Sequence, residues 1–236
     1  MKRTHLDLFS GIGGFALACR WAGVETVGFA EIDDYASRVL AKNFPGVTNY
    51  GDVRNVPGSA AAWLVTGGFP CQPFSYSGEQ RGTDDDRYLW PEMAEIVKHV
   101  RPAWVLAENV LGIVNMGIDQ IFDDLAHLGY SATALVIPAL AVDARHRRDR
   151  VWIVGNASGS GFSRFDWWRT RAQSENGHSE LVSLERFTEW PAESGFCRVA
   201  HGIPNRVDRL KGLGNAIVPQ VAYQLIQMMI AAEERA

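Results

Sequence analysis

The chain has 236 residues, 47% hydrophobic and 21% charged, with a formal net charge of -4. That suits one globular domain, or one with a small lobe, and excludes wholesale disorder. It also excludes a membrane protein and a disulfide or zinc scaffold: the apolar stretch from Thr133 to Val142 is broken by Pro138 and far shorter than the roughly 18 residues of a span, and Cys19, Cys71 and Cys197 are odd in number and widely spaced.

His5 to Phe9 is a short apolar run that meets the glycines of SGIGG (Ser10 to Gly14), and Phe15 to Trp21 reads as a helix. Glu25 to Ala30 is strand-like, Tyr35 to Asn43 helical, and Ala62 to Thr66 a buried-strand candidate ending in Gly67-Gly68. Leu89 to Val100 is helical, Ala103 to Ala107 an apolar strand, Asp119 to Leu128 helical, and Val151 to Val154 a closing strand. Strands alternating with helices predict an α/β fold with a largely parallel sheet covered on both faces. Ligands of such sheets bind beyond the carboxyl ends of the strands. After Gly155 the character changes. Asn156 to Ser163 is linker-like, Arg164 to Asn205 is weakly periodic with Trp167, Trp168 and Trp190, and Val221 to Ala232 reads as an amphipathic helix. The expected division is a catalytic and cofactor-binding domain over 1–155, a small recognition region over 156–205, and a return segment over 206–236.

Four constellations carry chemistry. In DLFSGIGGF, Asp7 to Phe15, a strand runs through a glycine turn into a helix, so backbone can approach a ligand closely; a tight turn is an adequate alternative. Glu31 directly follows the second strand and suits ribose hydroxyls, whereas Asp33 or Asp34 suits a helix cap. Asp52 is open to two roles, an acceptor for an adenine amino group or a turn aspartate. In GGFPCQPFS, Cys71 stands between prolines just past a strand end, a setting more consistent with a nucleophile than with a buried hydrophobe. Glu108 of AENV projects from the same edge and is a candidate acid, with a surface cap as the alternative. In RHRRDRVWIVG, Arg148 and Arg150 are two apart on a strand and share a face, with Asp149 opposite.

In this order, PCQ, ENV and the arginine pair behind DLFSGIGG resemble the cytosine-5 DNA methyltransferase family. GLGNAIVPQVA, Gly212 to Ala222, is similar to that family's closing motif. The resemblance covers about residues 5 to 155 and 204 to 232 and leaves the middle unmatched. It implies a Rossmann-like S-adenosylmethionine-dependent methyltransferase fold with a small target-recognition lobe. By similarity, Phe9, Gly11, Gly13 and Gly14 line the methionine end of the cofactor, and Pro70 is a further cofactor contact. Glu31 holds its ribose, Ile32 packs on the adenine, Asp52 meets the adenine amino group, and Asn215 and Val218 complete the pocket. No metal is implied. Cys71 attacks carbon 6 of a flipped-out cytosine, Glu108 holds and protonates ring N3, Arg148 bonds the base O2, and Arg150 orients the site. The segment Gln72 to Arg87, with Ser75, Ser77 and Arg81, is similar to the family's loop that closes over DNA. One departure is His146 where the family usually has Gln.

The region 157–205 holds five Arg and six Asp or Glu, so it has no basic surplus. Arg164, Arg169, Arg171, Arg186 and Arg198 are the candidate base contacts, with a short or degenerate target expected. Arg145 to Arg150 and Arg206 to Lys211 are candidate phosphate contacts. The implied partners are double-stranded DNA and, in some members, a cognate restriction endonuclease, in the cytoplasm and nucleoid of a bacterial cell. A cytosine-5 methyltransferase of transfer RNA and a non-catalytic DNA-binding derivative are the two alternatives.

Overall fold

The computed structural model describes residues 2–70, 88–157 and 212–234. In chain order the elements are β1 (Thr4–Leu8), α1 (Gly14–Trp21), β2 (Glu25–Ala30), α2 (Asp34–Asn43), β3 (Thr48–Asn49), β4 (Leu64–Gly67), α3 (Trp90–Val100), β5 (Trp104–Asn109), α4 (Ile113–Met116), α5 (Ile118–His127), β6 (Ser131–Pro138), β7 (Asp149–Asn156) and α6 (Pro219–Glu233). Among the described residues seven strands make one sheet in the order β3-β2-β1-β4-β5-β7-β6. The first five are mutually parallel, and β7 runs antiparallel to both its neighbours. The mostly parallel α/β sheet expected from the sequence is therefore present.

Two differences concern the far edge. β6 is not expected as a strand from the sequence, because Pro138 interrupts the apolar run; the proline is the strand's last residue, where a missing N–H costs no ladder bond. β7 begins at Asp149 rather than Val151, extended by pairing with β6 through Pro138.

Strand alternation splits the core in two. Leu6, Leu8, Val65, Val105, Ala107, Val151 and Ile153 face one side, with Met93 and Val97 of α3 and Ile121 and Leu125 of α5. Leu64, Leu106, Trp152 and Val154 face the other, with Phe15 and Ala18 of α1 and Val221, Leu225 and Ile226 of α6. α6 thus returns from beyond residue 212 to cover β4, β5 and β7. Its last turn carries Glu233, a charge the helix dipole disfavours there. Trp63 Nε1 (2.6 Å) and Trp104 Nε1 (3.1 Å) both donate to that carboxylate, and Arg3 pairs with it at 3.5 Å.

The α1 face of β1 is polar where it nears the glycine turn. His5 Nδ1 meets Thr26 Oγ1 at 3.0 Å, His5 Nε2 meets Thr66 Oγ1 at 2.7 Å, and Thr66 Oγ1 donates to Asp7 Oδ1 at 2.8 Å. Burial holds the His5 imidazole neutral, its pKa lowered to about 3, and pushes the Asp7 carboxyl well above the usual carboxylate range. β2 and β4 lie on opposite sides of β1, so the crevice where the strand order reverses opens at the carboxyl ends of these strands.

Candidate active site at the carboxyl edge of the sheet

β1 ends in a turn that no ordinary run of side chains would adopt. Phe9 has φ 52°, Gly11 φ 53° and Gly13 φ 87°. The Gly11 amide donates to Glu31 Oε2 at 2.6 Å, and the Asp33 amide donates to Glu31 Oε1 at 2.8 Å. Each carboxylate oxygen of Glu31 keeps lone-pair capacity beyond that bond, so two adjacent hydroxyls could donate to it. Asp33 is the cap of α2, accepting from the amides of Tyr35 and Ala36 at 3.0 Å each. The helix-cap role that local sequence left between Asp33 and Asp34 falls to Asp33.

The glycines have different tasks. A Cβ on Gly11 would meet nothing within 4 Å, so this position faces open space. On Gly14 it would lie 2.6 Å from Ile217 Cγ1, which allows the closing segment to sit against the turn. Gly13, expected to line a ligand, makes room for Phe44 and Leu40, whose atoms lie 2.8 and 2.9 Å from its Cβ position. The pocket is lined by Phe9, Gly11, Gly14, Glu108 and Asn215, with Gly68, Ala216 and Ile217 as members the sequence reading missed. Val218 is not among them; it is buried in the core as the cap of α6. Ile32 stands 74% exposed on the β2 side. Asp52 accepts from the Arg54 amide at 2.9 Å, and its other oxygen pairs with the Arg54 guanidinium at 3.3 Å, while Arg54 reaches Glu92 at 2.8 Å. Both of the readings open for Asp52 survive, since the turn bond uses one oxygen and the carboxylate remains partly exposed.

Across the crevice the groups are charged. Glu108 sits on β5 opposite Trp152 of β7, and Arg150, two residues before Trp152, shares that face. Arg150 Nε lies 2.9 Å from Glu108 Oε1. The geometry is that of an ion pair: Oε1 is buried and receives no aligned hydrogen bond among the described residues. Burial pushes the Glu108 carboxyl up, and Arg150 and Arg148 pull it down. The sequence reading gave the base-facing role to Arg148, yet Arg150 is the arginine in contact with Glu108. Arg148 has φ 35° and donates from Nη2 to the carbonyls of Gly214 (2.9 Å) and Ala216 (2.8 Å).

Asn109, next to Glu108, donates from Nδ2 to the Phe69 carbonyl at 3.1 Å and accepts from the Val110 amide at 2.9 Å. It ties the end of β5 to the chain entering Pro70, a function sequence reasoning did not assign. Cys71, Gln72, Ser75, Ser77 and Arg81 lie outside the described residues, as do Arg164, Arg169, Arg171, Arg186, Arg198, Arg206, Arg209 and Lys211. Arg145, His146 and Arg147 are exposed beside the site. Among the described residues no group of three His, Cys, Asp or Glu is placed to hold a metal, and no helix is long and apolar enough to cross a membrane.

The profile of the C-5 cytosine-specific DNA methylases matches residues 3–189. The chain is 37% identical over 158 residues to the Type II methyltransferase M.HgiBI of Herpetosiphon aurantiacus, an alignment covering 64% of this chain and 36% of that one. It is 38% identical over 162 residues to M.Eco47II of Escherichia coli, covering 64% and 39%. Such alignments span between about a third and a half of the length of these curated relatives. Among solved structures, Spodoptera frugiperda DNMT2 matches with TM-score 0.68 at 15% identity, covering 97% of this chain and 99% of that one, a likeness of fold.

Proposed function

The chain belongs to the C-5 cytosine-specific DNA methylase family, and on that premise we propose that it transfers a methyl group from S-adenosylmethionine to carbon 5 of cytosine in double-stranded DNA. The observation that carries this reading is the Glu108–Arg150 pair set across a pocket from a glycine turn and the Glu31 carboxylate.

The residues present fit the cofactor. Glu31 offers two oxygens to a ribose diol, the open side of Gly11 admits the methionine end, exposed Ile32 offers an apolar face to the adenine, and Asp52 an acceptor to its amino group. When bound, S-adenosylmethionine supplies an electrophilic methyl group and departs as a neutral thioether.

Carbon 5 of cytosine is a weak nucleophile, and the protein's own groups change that. The Cys71 thiolate forms a bond to carbon 6, and the ring electrons move so that carbon 5 becomes the nucleophilic end of an enamine. Burial favours the protonated form of Glu108, so this carboxyl can give its proton to N3 as negative charge develops. Arg150 lies beside Glu108 and is the arginine assigned to the base O2. After methylation a base removes the carbon 5 proton, the C6–S bond breaks, and Cys71 leaves with the bonding pair. The target base must be rotated out of the duplex, because a thiol at a strand end cannot reach it within the stack.

Residues 156–205 are assigned to sequence reading through Arg164, Arg169, Arg171, Arg186 and Arg198, and exposed Arg145 and Arg147 to phosphate contact. A cognate restriction endonuclease is the partner that a Type II methyltransferase would protect against.

Duplex DNA carrying 5-fluorocytosine tests the covalent mechanism. Fluorine at carbon 5 cannot leave as a proton does, so the wild type should remain attached through denaturation and Cys71→Ser should not. Normal methylation by Cys71→Ser would overturn the mechanism.

A further inference from the structure

The closing segment is poorly secured by burial. Leu213 is 64% exposed, and Gly214 and Asn215 are exposed beside it. Yet Asn215, Ala216 and Ile217 line the pocket, so its position sets the pocket's shape. Its apolar tie to the glycine turn is Ile217 against Gly14, and Gly212 adds a Cβ position 3.2 Å from Ile12.

The polar tie is Arg148. Its Nη2 has two hydrogens, and the two carbonyls it reaches, those of Gly214 and Ala216, bracket the pocket residue Asn215. Both donors of that nitrogen are therefore occupied. To reach these carbonyls the backbone at Arg148 takes φ 35°, a left-handed conformation rare for a side chain of this size. A residue placed so that it could simply continue β7 would need no such departure. Ala139 holds this backbone from behind, its amide donating to the carbonyls of Arg147 (2.7 Å) and Arg148 (3.3 Å).

We propose that Arg148 is a positioning residue for the cofactor: it clamps the closing segment over the glycine turn, and Arg150 alone of the pair serves the base. This rests on the functional reading above and divides between two sites what the resemblance assigned to one. The charge on Arg148 strengthens both bonds to the carbonyls, and losing it frees a segment that has little burial of its own.

The test is calorimetric titration of the full chain with S-adenosylmethionine, paired with steady-state methylation of DNA, for Arg148→Ala, Arg148→Gly and Arg148→Lys. Glycine accepts φ 35° without strain, so Arg148→Gly removes the clamp while sparing the backbone. The Kd for the cofactor should rise roughly ten- to a hundredfold in the Ala and Gly variants. The matching rise should appear in KM for the cofactor, with kcat at saturating cofactor within about threefold of wild type, and Lys should restore part of the affinity, since its ammonium can reach a carbonyl. An unchanged Kd with a lost kcat would return Arg148 to the base and overturn the clamp. An unchanged Kd with only a lowered melting temperature would reduce it to a structural contact and overturn it equally. Because binding is read without methylation, a wild type that binds S-adenosylmethionine but does not methylate DNA would defeat the functional reading and leave the clamp standing on its own result.

Discussion

On the β1–β2 side of the pocket the geometry is set mainly by backbone, with the Gly11 and Asp33 amides fixing a single carboxylate, Glu31, and with Gly14 allowing Ile217 to approach. On the β5–β7 side it is set by ionisable side chains, Glu108 and Arg150, 2.9 Å apart. A site made from backbone is sensitive to atoms added where there is no room, since a Cβ cannot be moved without moving the chain. A site made from paired ionisable side chains is sensitive to atoms or protons removed, since each group is the partner of the other. The two halves should therefore fail in different ways and in different measured quantities.

The largest effect belongs to the charged half. Glu108→Gln keeps the shape and the Arg150 contact but removes the proton donor. Turnover at saturating cofactor should fall by roughly 100- to 10,000-fold while the cofactor Kd stays within about twofold. A variant with wild-type single-turnover rates would remove Glu108 from the chemistry.

The next belongs to the backbone half. Glu31→Ala leaves the Gly11 and Asp33 amides without their acceptor, and the cofactor Kd should rise roughly ten- to a hundredfold with kcat at saturation little changed. Unchanged affinity by calorimetry would place the ribose elsewhere.

Gly14→Ala should act in the same quantity and somewhat less, about tenfold in Kd, because its new methyl lies 2.6 Å from Ile217 Cγ1 and displaces the closing segment. Adding Ile217→Ala should recover most of that loss. A double-mutant cycle without coupling would show that the glycine answers to some other contact.

The smallest effect tests what lies beneath the backbone half. His5 has a folded pKa lowered to about 3 from 6.5, so its stabilisation is present above pH 6.5 and lost as the pH falls toward 3. Asp7 has the opposite sign: raised well above 3.8, it favours the fold below that pH, and the contribution is lost as the pH rises. Asp7→Asn keeps an acceptor for Thr66 and removes the second titration. Its stability relative to wild type should grow as the pH rises above 3.8, by no more than about 1.4 kcal/mol per pH unit. Denaturant melts at pH 4 and pH 7 that give one and the same difference would show that Asp7 does not titrate in this way.

The parts legible in the sequence were those set by position along an element. Glu31 directly follows an apolar strand, Glu108 lies in the last two residues of one, and both stand at the carboxyl edge. The glycine turn was legible because strand, glycines and helix follow in order. What escaped depends on the direction a side chain takes in three dimensions. Arg148 and Arg150 are two apart and share a face if the strand is regular, but the left-handed backbone at Arg148 sends its guanidinium to the closing segment instead. Gly13 and Gly14 look alike in sequence, yet one clears space for α2 and the other for Ile217. Nothing local predicts that Asn109 reaches back to the Phe69 carbonyl, because the pairing spans 40 positions and exists only once β4 and β5 are neighbours. β6 escaped because its partner β7 supplies the order that its own pattern lacks.

Bisulfite sequencing of DNA from cells expressing the chain tests the central claim most directly, with Glu108→Gln expressed in parallel. The account predicts cytosines protected from conversion in one short sequence context, present with the wild type and absent with the variant. Full conversion of DNA cytosines in cells that contain the folded wild type, or protection confined to transfer RNA, would contradict it.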